Sequence, residues 1–307
     1  MSFSGEVKEE LAGQLGTSRH CQIAELAAMF CYNGRIGRDG AGKTVFFIQT
    51  ENEQVIRKCF TLFKKSFSIE AYVDGKGSYV LKICEEGQIK RVLQAFKLLD
   101  ASGEMSRRTD YVNPILIKNA CCRRAFLRGA YLSIGSMSDP EKSYHLEFVC
   151  STQEQAGQLQ EIVREFGIEA RVITRKNHFV VYMKEGAGIV DLLNVMGAHV
   201  SLMNLENLRI VKEMRNSINR RVNCEAANIT KTVNAATKQI EDIELIRKTI
   251  GLKGLQGSLR EMAEVRLEYP DAPLKELGQY LNPPVGKSGV NHRLRKLSEI
   301  AEEIRGQ

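Results

Sequence analysis

One nine-residue run occurs twice in this chain, as Leu26-Ala27-Ala28-Met29-Phe30-Cys31-Tyr32-Asn33-Gly34 and as Leu127-Arg128-Gly129-Ala130-Tyr131-Leu132-Ser133-Ile134-Gly135. Each copy places small residues in its first turns, large apolar ones after them and a glycine at the end, where a helix C-terminus accommodates a positive φ. Both read as helices. Ala27, Ala28, Gly129 and Ala130 carry little or no side chain, so the two backbones can approach more closely than the roughly 8 to 10 Å usual between helix axes. A pseudo-symmetric core with this pair at its centre is the expected result.

The surroundings repeat as well. An amphipathic helix is expected over residues 2–16, with Ser4 as its N-cap and Phe3, Val7 and Leu11 on one face. The first unit then runs helix (20–33), strand (44–50), helix (52–67), strand (69–73), strand (79–84) and helix (86–99). β-Branched and aromatic residues such as Val45-Phe46-Phe47-Ile48 mark the strands, and Asp74-Gly75-Lys76-Gly77 marks a turn. After a polar stretch around Ser102 to Asp110 the same order returns: helix (119–133), strand (144–150), helix (152–166), strand (169–174), strand (178–183) and helix (187–196). Glu70-Ala71-Tyr72-Val73 corresponds to Glu169-Ala170-Arg171-Val172. A period of about one hundred residues is too long for a solenoid, whose repeats run about 20 to 50 residues. A duplicated α/β unit is the economical reading.

The remaining third of the chain lacks strand signals. Ala226, Ile229, Val233, Ala236, Ile240 and Ile243 recur three and four apart, the seam of a long amphipathic helix between Met214 and Ile250. From Arg215 to Lys238 five bases (Arg215, Arg220, Arg221, Lys231, Lys238) face one acid, Glu225, a charge balance suited either to a solvated face or to a polyanion. Gly251, Gly254 and Gly257 break that helix. Ser258 and Glu261 have the spacing of a capping box opening a last domain. A second helix opens at Pro273 with Leu274, Leu277 and Leu281 on one face, and Asn282 to Gly286 forms a turn. A third helix follows, with Val290, Leu294 and Leu297 inward. Three short helices with a tight connection between the last two have the layout of a helix-turn-helix module.

The third helix carries the clearest chemistry. From Lys287 to Lys296 there are four bases and no acid, whereas the module from Ser258 onward balances eight bases with eight acids. Helical spacing sets Ser288, Asn291, His292 and Arg295 on the outer side, residue types that reach base edges. Lys287, Arg293 and Lys296 fall nearer the groove walls, where cations hold phosphates. Arg220, Arg221 and Lys231 of the preceding helix are further candidates for phosphate contact.

Other chemistries find less support. Gly37-Arg38-Asp39-Gly40-Ala41-Gly42-Lys43-Thr44 fits G-x-x-x-x-G-K-[ST], but a phosphate loop needs a strand before it and a helix after it, and here a helix precedes and a strand follows. It reads as a Gly-rich turn. None of the five histidines has a partner at H-x-x-x-H spacing, Gly-x-Ser-x-Gly is absent, and the eight cysteines form no CxxC pair. Reduced, mostly buried thiols are expected, without metal or cofactor. A disulfide between Cys121 and Cys122 is disfavoured by side chains pointing about 100° apart on one helix. A net charge of +7 permits an acidic partner, and no run approaches the ~18 apolar residues of a membrane span. Met1 to Leu11 has no signal-peptide core, so a soluble cytoplasmic protein is expected.

The duplicated repeat resembles the LAGLIDADG homing endonucleases, with Leu26 to Gly34 and Leu127 to Gly135 set against their nine-letter motif. The resemblance implies an α+β fold: a LAGLIDADG-type repeat with two antiparallel sheets, followed by an all-α helix-turn-helix domain. In the nucleases the eighth letter is the acid that binds the catalytic metal. Here those positions are Asn33 and Ile134, so no metal site assembles at the helix ends. Asp39 and Asp139 lie several residues past the helices.

The whole chain resembles the WhiA family of bacterial regulators. The match includes Ser2-Phe3-Ser4, the run Asn219-Arg220-Arg221-Val222-Asn223-Cys224-Glu225-Ala226-Ala227-Asn228, and Leu274-Lys275-Glu276-Leu277-Gly278 with Lys287-Ser288-Gly289-Val290-Asn291-His292-Arg293-Leu294. It implies a nucleoid-associated protein that binds double-stranded DNA in sequence-specific fashion and regulates cell-division and sporulation genes, not an enzyme. The expected divisions are 1–19, an N-terminal helix; 20–110 and 111–213, the two repeats; 214–257, a basic helical linker; and 258–307, the DNA-binding module. The repeats would serve as a scaffold, with a weaker DNA contact or a site for a regulatory protein. An active endonuclease and a protein-interaction scaffold without DNA remain the alternatives.

Overall fold

The computed structural model describes residues 2–40, 42–99, 104 and 110–306, so most of the polar stretch expected around Ser102 to Asp110 lies outside the described residues. The chain divides into two compact units, Met1–Lys212 and Glu213–Gln307. In the first, α1 (Phe3–Gly13) precedes α2 (Arg19–Asn33), β1 (Gly34–Arg38), β2 (Thr44–Thr50), α3 (Glu53–Phe67), β3 (Tyr72–Asp74), β4 (Tyr79–Ile83) and α4 (Glu86–Ala95). The second repeat follows with α5 (Ala120–Ile134), β5 (Gly135–Met137), β6 (Leu146–Cys150), α6 (Gln153–Glu165), β7 (Arg171–Arg175), β8 (His178–Met183) and α7 (Gly186–Met196).

The duplication is complete at the level of topology. The two four-stranded sheets have the orders β1-β2-β4-β3 and β5-β6-β8-β7, and every pairing is antiparallel. Gly34 pairs with Ile48 and Gly135 with Phe148, so each sheet starts on the glycine that closes its central helix. Neither glycine is left-handed, contrary to the expectation. Gly34 has φ −99° and Gly135 φ −79°, both extended, and a Cβ on either would strike the aromatic ring one turn back, Phe30 or Tyr131. β1 and β5 are absent from the sequence reading because Gly34 to Arg38 and Gly135 to Met137 hold few β-branched or aromatic residues. Their neighbours supply the pairing.

One face of each sheet is apolar. Leu146, Phe148 and Cys150 of β6 are buried at alternate positions, as a half-covered strand requires, and Val45, Phe46 and Ile48 of β2 are buried. Phe30 of α2 stacks on Phe46 with centroids 4.5 Å apart, and Tyr131 of α5 meets Phe148 edge-on at 6.0 Å. α2 and α5 pack on one another through buried Ala27, Ala28 and Ala130. At their crossing Glu25 of α2 is buried between two cations, Lys58 of α3 (2.6 Å) and Arg128 of α5 (3.0 Å).

α1 is capped by Ser2, whose hydroxyl accepts from Gly5 N, and not by Ser4. Ser4 Oγ accepts instead from Met137 N at 3.1 Å and ties α1 to β5. Glu10 of α1 caps the start of α8 (His199–Thr249), accepting from Val200 N and Ser201 N at 2.8 and 2.9 Å.

α8 starts well before Met214 and is 51 residues long. Residues 213–235 are exposed on all sides, so the expected apolar seam lies open over most of its length, with Ile229 at 64% exposure and Val233 at 56%. Only its end is buried. Ile243 and Ile246 enter the core of the second unit with Leu259, Met262, Leu277, Leu281, Val290, Leu294 and Leu297, so that core reaches back past the expected start at Ser258. The other elements of this unit are α9 (Gly257–Glu268), α10 (Leu274–Leu277) and α11 (Lys287–Arg305). Ser258 lies inside α9 and caps nothing, and Glu261 accepts from Asn282 N at 2.6 Å, tying α9 to the turn before α11. That turn is held by Val285 N donating to Gly278 O at 2.9 Å, and a Cβ on Gly278 would stand 2.0 Å from the Val285 carbonyl oxygen.

Candidate nucleic-acid interface

α11 begins at Lys287, directly after the turn, and its inner side is the buried row Val290, Leu294 and Leu297. With that row fixed inward, the 3.6-residue period leaves Ser288, Asn291, His292 and Arg295 exposed, together with Lys287 and Lys296. The expected outer face is therefore brought together on one helix. Among the described residues Arg295 pairs only along its own helix, with Glu299 at 3.2 Å, an exposed i,i+4 contact that yields readily to a ligand. Arg293 differs from its neighbours. It is half-buried, 3.7 Å from Glu261 and 3.5 Å from the Ser258 carbonyl, so it clamps α11 to α9 within the module.

On α8, Arg220, Arg221 and Lys231 are all exposed. Arg221 lies 3.6 Å from Glu225, while Arg220 and Lys231 have no ion pair among the described residues. Positions 220 and 231 differ by about 20° around the helix at 100° per residue, so the two cations share one face.

The nuclease-motif positions are the last residues of their helices, as the repeat requires. Asn33 Nδ2 donates to Ser133 O at 3.4 Å, and Ile134 packs half-buried against the core. Asn33 and Ser133 line a polar cleft of about 660 Å³ that also holds Lys8, Asn52 and, among the described residues, a single carboxylate, Glu51. Asp39 accepts from Lys43 N at 2.8 Å and Asp139 from Glu141 N at 2.9 Å, so each organises its own turn. Asp39 belongs to the hairpin between β1 and β2. The G-x-x-x-x-G-K-T stretch thus joins two strands, with Ala41 outside the described residues.

A different grouping escaped the linear motifs. His20 and Cys21 in the first turn of α2 meet Cys121 and Cys122 in the first turn of α5, with ligand atoms all within 4.8 Å of one another. Spacing rules look for ligands within one stretch of chain, and the only available signal was that the two pairs occupy corresponding starts of the repeated helix. Burial pushes the Cys21 thiol up to about 12, and the nearby Cys121 and Cys122 add to the rise. The expectation of mostly buried thiols fails: only Cys59, Cys122 and Cys150 are buried, while Cys84, Cys121 and Cys224 are exposed.

Three family models match consecutive parts of the chain: the WhiA N-terminal LAGLIDADG-like domain over residues 19–98, the WhiA LAGLIDADG-like domain over 123–215 and the WhiA C-terminal HTH domain over 218–301. A probable cell division protein WhiA of Lachnoclostridium phytofermentans is 53% identical over 314 residues, spanning 99% of this chain and 100% of the relative. The protein of the same name from Clostridium acetobutylicum is 46% identical over 313 residues, spanning 99% of each. Full-length DUF199/WhiA from Thermatoga maritima, a crystal structure, is 28% identical with a TM-score of 0.58 over 99% of both chains. With two LAGLIDADG-like repeats, a helix-turn-helix module and full-length relatives at this identity, the chain belongs to the WhiA family.

Proposed function

We propose that this chain is a sequence-specific DNA-binding transcriptional regulator of cell-division genes and, in spore-forming bacteria, of sporulation genes, with α11 as its recognition helix. The carrying observation is the exposed row Ser288, Asn291, His292 and Arg295 above the buried Val290, Leu294 and Leu297, on a stretch free of acid from Lys287 to Lys296. Arginine bonds guanine and asparagine bonds adenine with paired hydrogen bonds in the major groove. Lys287 and Lys296 hold the flanking phosphates, and Arg293 joins them on exchanging Glu261 for DNA. Arg220, Arg221 and Lys231 grip the backbone without reading sequence. The helix-turn-helix family match and the relatives' name, cell division protein, support this reading.

The repeats serve as a scaffold without nuclease chemistry. A hard divalent cation needs oxygen ligands with charge, and the amide of Asn33 and the alkyl chain of Ile134 supply no carboxylate at the helix ends. Arg35 and Lys82 on the more open face of the first sheet, with Arg171 and Arg175 on that of the second, favour a weaker contact with DNA there.

Footprinting of the full-length protein on genomic DNA tests the proposal. Discrete protected sites are expected, and Arg295→Ala should lose about 1–3 kcal/mol of affinity there and relax specificity. Unchanged site selection by that variant would remove α11 from the reading role. The bound DNA should stay intact in Mg²⁺, and strand breaks would restore the nuclease alternative.

A further inference from the structure

We propose that His20, Cys21, Cys121 and Cys122 form a structural site for a thiophilic divalent cation, zinc above others. Four ligand atoms, all within 4.8 Å of one another, are the number and span that a tetrahedral cage needs. With Zn–S near 2.3 Å and Zn–N near 2.0 to 2.1 Å, the edges between ligand atoms are about 3.5 to 3.8 Å. His20 Nδ1 lies 3.2 Å from Cys122 Sγ and 3.3 Å from Cys21 Sγ, and no pair in the group exceeds 4.8 Å. Adjustments of a few tenths of an ångström to an ångström, within reach of side-chain rotation, close the cage.

The duplication explains why the ligands meet. His20 and Cys21 are the second and third residues of α2, and Cys121 and Cys122 are the second and third of α5. The close packing of these helices across their pseudo-dyad brings equivalent positions face to face, so two ligands arrive from each repeat. The ligand set selects the ion. Thiolate and imidazole favour zinc and other soft or borderline metals over magnesium or calcium, which require oxygen. This site is therefore chemically distinct from the nuclease metal position, and it sits at the opposite ends of the same two helices from Asn33 and Ile134.

Electrostatics suits the complex as well. Three thiols each lose a proton on binding, so a dication with three thiolates and a neutral imidazole carries a net charge of −1. It stands at two helix N-termini, neither with an acid in its first turn, and each N-terminus contributes the equivalent of about half a positive charge. Four protein ligands leave no open position for water, which makes the role structural, a clamp joining the repeats at the starts of α2 and α5.

The test is anaerobic titration of the reduced full-length protein with Co²⁺. Saturation at about one equivalent is expected, with thiolate-to-cobalt charge-transfer absorption and the intense visible bands of tetrahedral cobalt, both lost on adding Zn²⁺. Cys121→Ser, at an exposed position, should weaken binding at least about 10-fold, the least that losing even an outer-shell partner costs. Cys84→Ser and Cys224→Ser should leave the titration unchanged. The proposal is overturned by the absence of a saturable tetrahedral spectrum in the unaltered protein, by a spectrum that survives both Cys121→Ser and His20→Ala, or by a disulfide joining Cys21 to Cys121 or Cys122 that persists when reduced protein is returned to air with zinc.

Discussion

Gly129 of α5 meets Glu25 of α2 so closely that a Cβ on the glycine would stand 2.6 Å from the Glu25 carbonyl oxygen and 3.1 Å from the Ala28 side chain. The first of these neighbours is backbone, which cannot swing aside. Gly129→Ala should therefore force the two central helices apart and destabilise the N-terminal unit by about 1–3 kcal/mol, the usual consequence of overpacking. Urea unfolding followed by near-ultraviolet circular dichroism reads it, and an unchanged midpoint would mean the helices do not touch at this point.

Glu25 also neutralises two cations at that crossing. Arg128 donates to both of its oxygens at 3.0 Å, and Lys58, buried and donating to Leu11 O at 2.6 Å, pairs with it. Glu25→Gln should cost about 3–5 kcal/mol, because two charges are left without their partner away from water. Burial holds Lys58 below its ordinary value of 10.5, and Glu25 opposes that shift, so the substitution depresses it further. The unfolded chain then binds the lysine proton more tightly than the folded one, and stability rises with pH between the depressed value and 10.5. Unfolding of the variant at pH 7 and pH 9 should show a smaller deficit at the higher pH.

In the C-terminal unit Asp242 is fully buried and bonded to Arg305 at 2.7 Å, while its other oxygen has no hydrogen-bond partner among the described residues. Arg305→Ala strands a buried carboxylate and should destabilise this unit by about 3 kcal/mol. Adding Asp242→Asn should recover part of the loss by removing the charge. A double-mutant cycle measured by thermal unfolding gives the coupling, and strictly additive effects would dissolve the pair.

Arg220 and Lys231 share one exposed face of α8. Replacing both with Ala should weaken DNA binding about equally for specific and unrelated sequences, and flatten the dependence of log K on log salt by about 0.9 per lost phosphate contact. A loss confined to the specific site would assign these residues to base reading instead.

Much of this architecture is legible in local patterns. The paired helices, the strand-helix-strand order around them and the buried face of α11 are set by residues within a few positions of one another, and all appear where the periodicity puts them. The failures share a cause. Gly34 to Arg38 and Gly135 to Met137 become strands because β2 and β6 pair with them, while Ser4 and Ser258 surrender capping to neighbours or to no side chain at all. Arg293 has the composition of a phosphate contact, yet Glu261 of another helix claims it.

The sequence by itself determined the duplication, the neutral residues at Asn33 and Ile134 and the basic outer face of α11, because each is a matter of residue type at a helical or repeated position. Only the tertiary structure decided that His20 and Cys21 stand against Cys121 and Cys122. Adjacent ligands on one helix are too few to hold an ion, and their complement lies about a hundred residues away. The small residues along α2 and α5 let the two helix starts close on one another, and that packing is a property of the fold that no stretch of the chain contains.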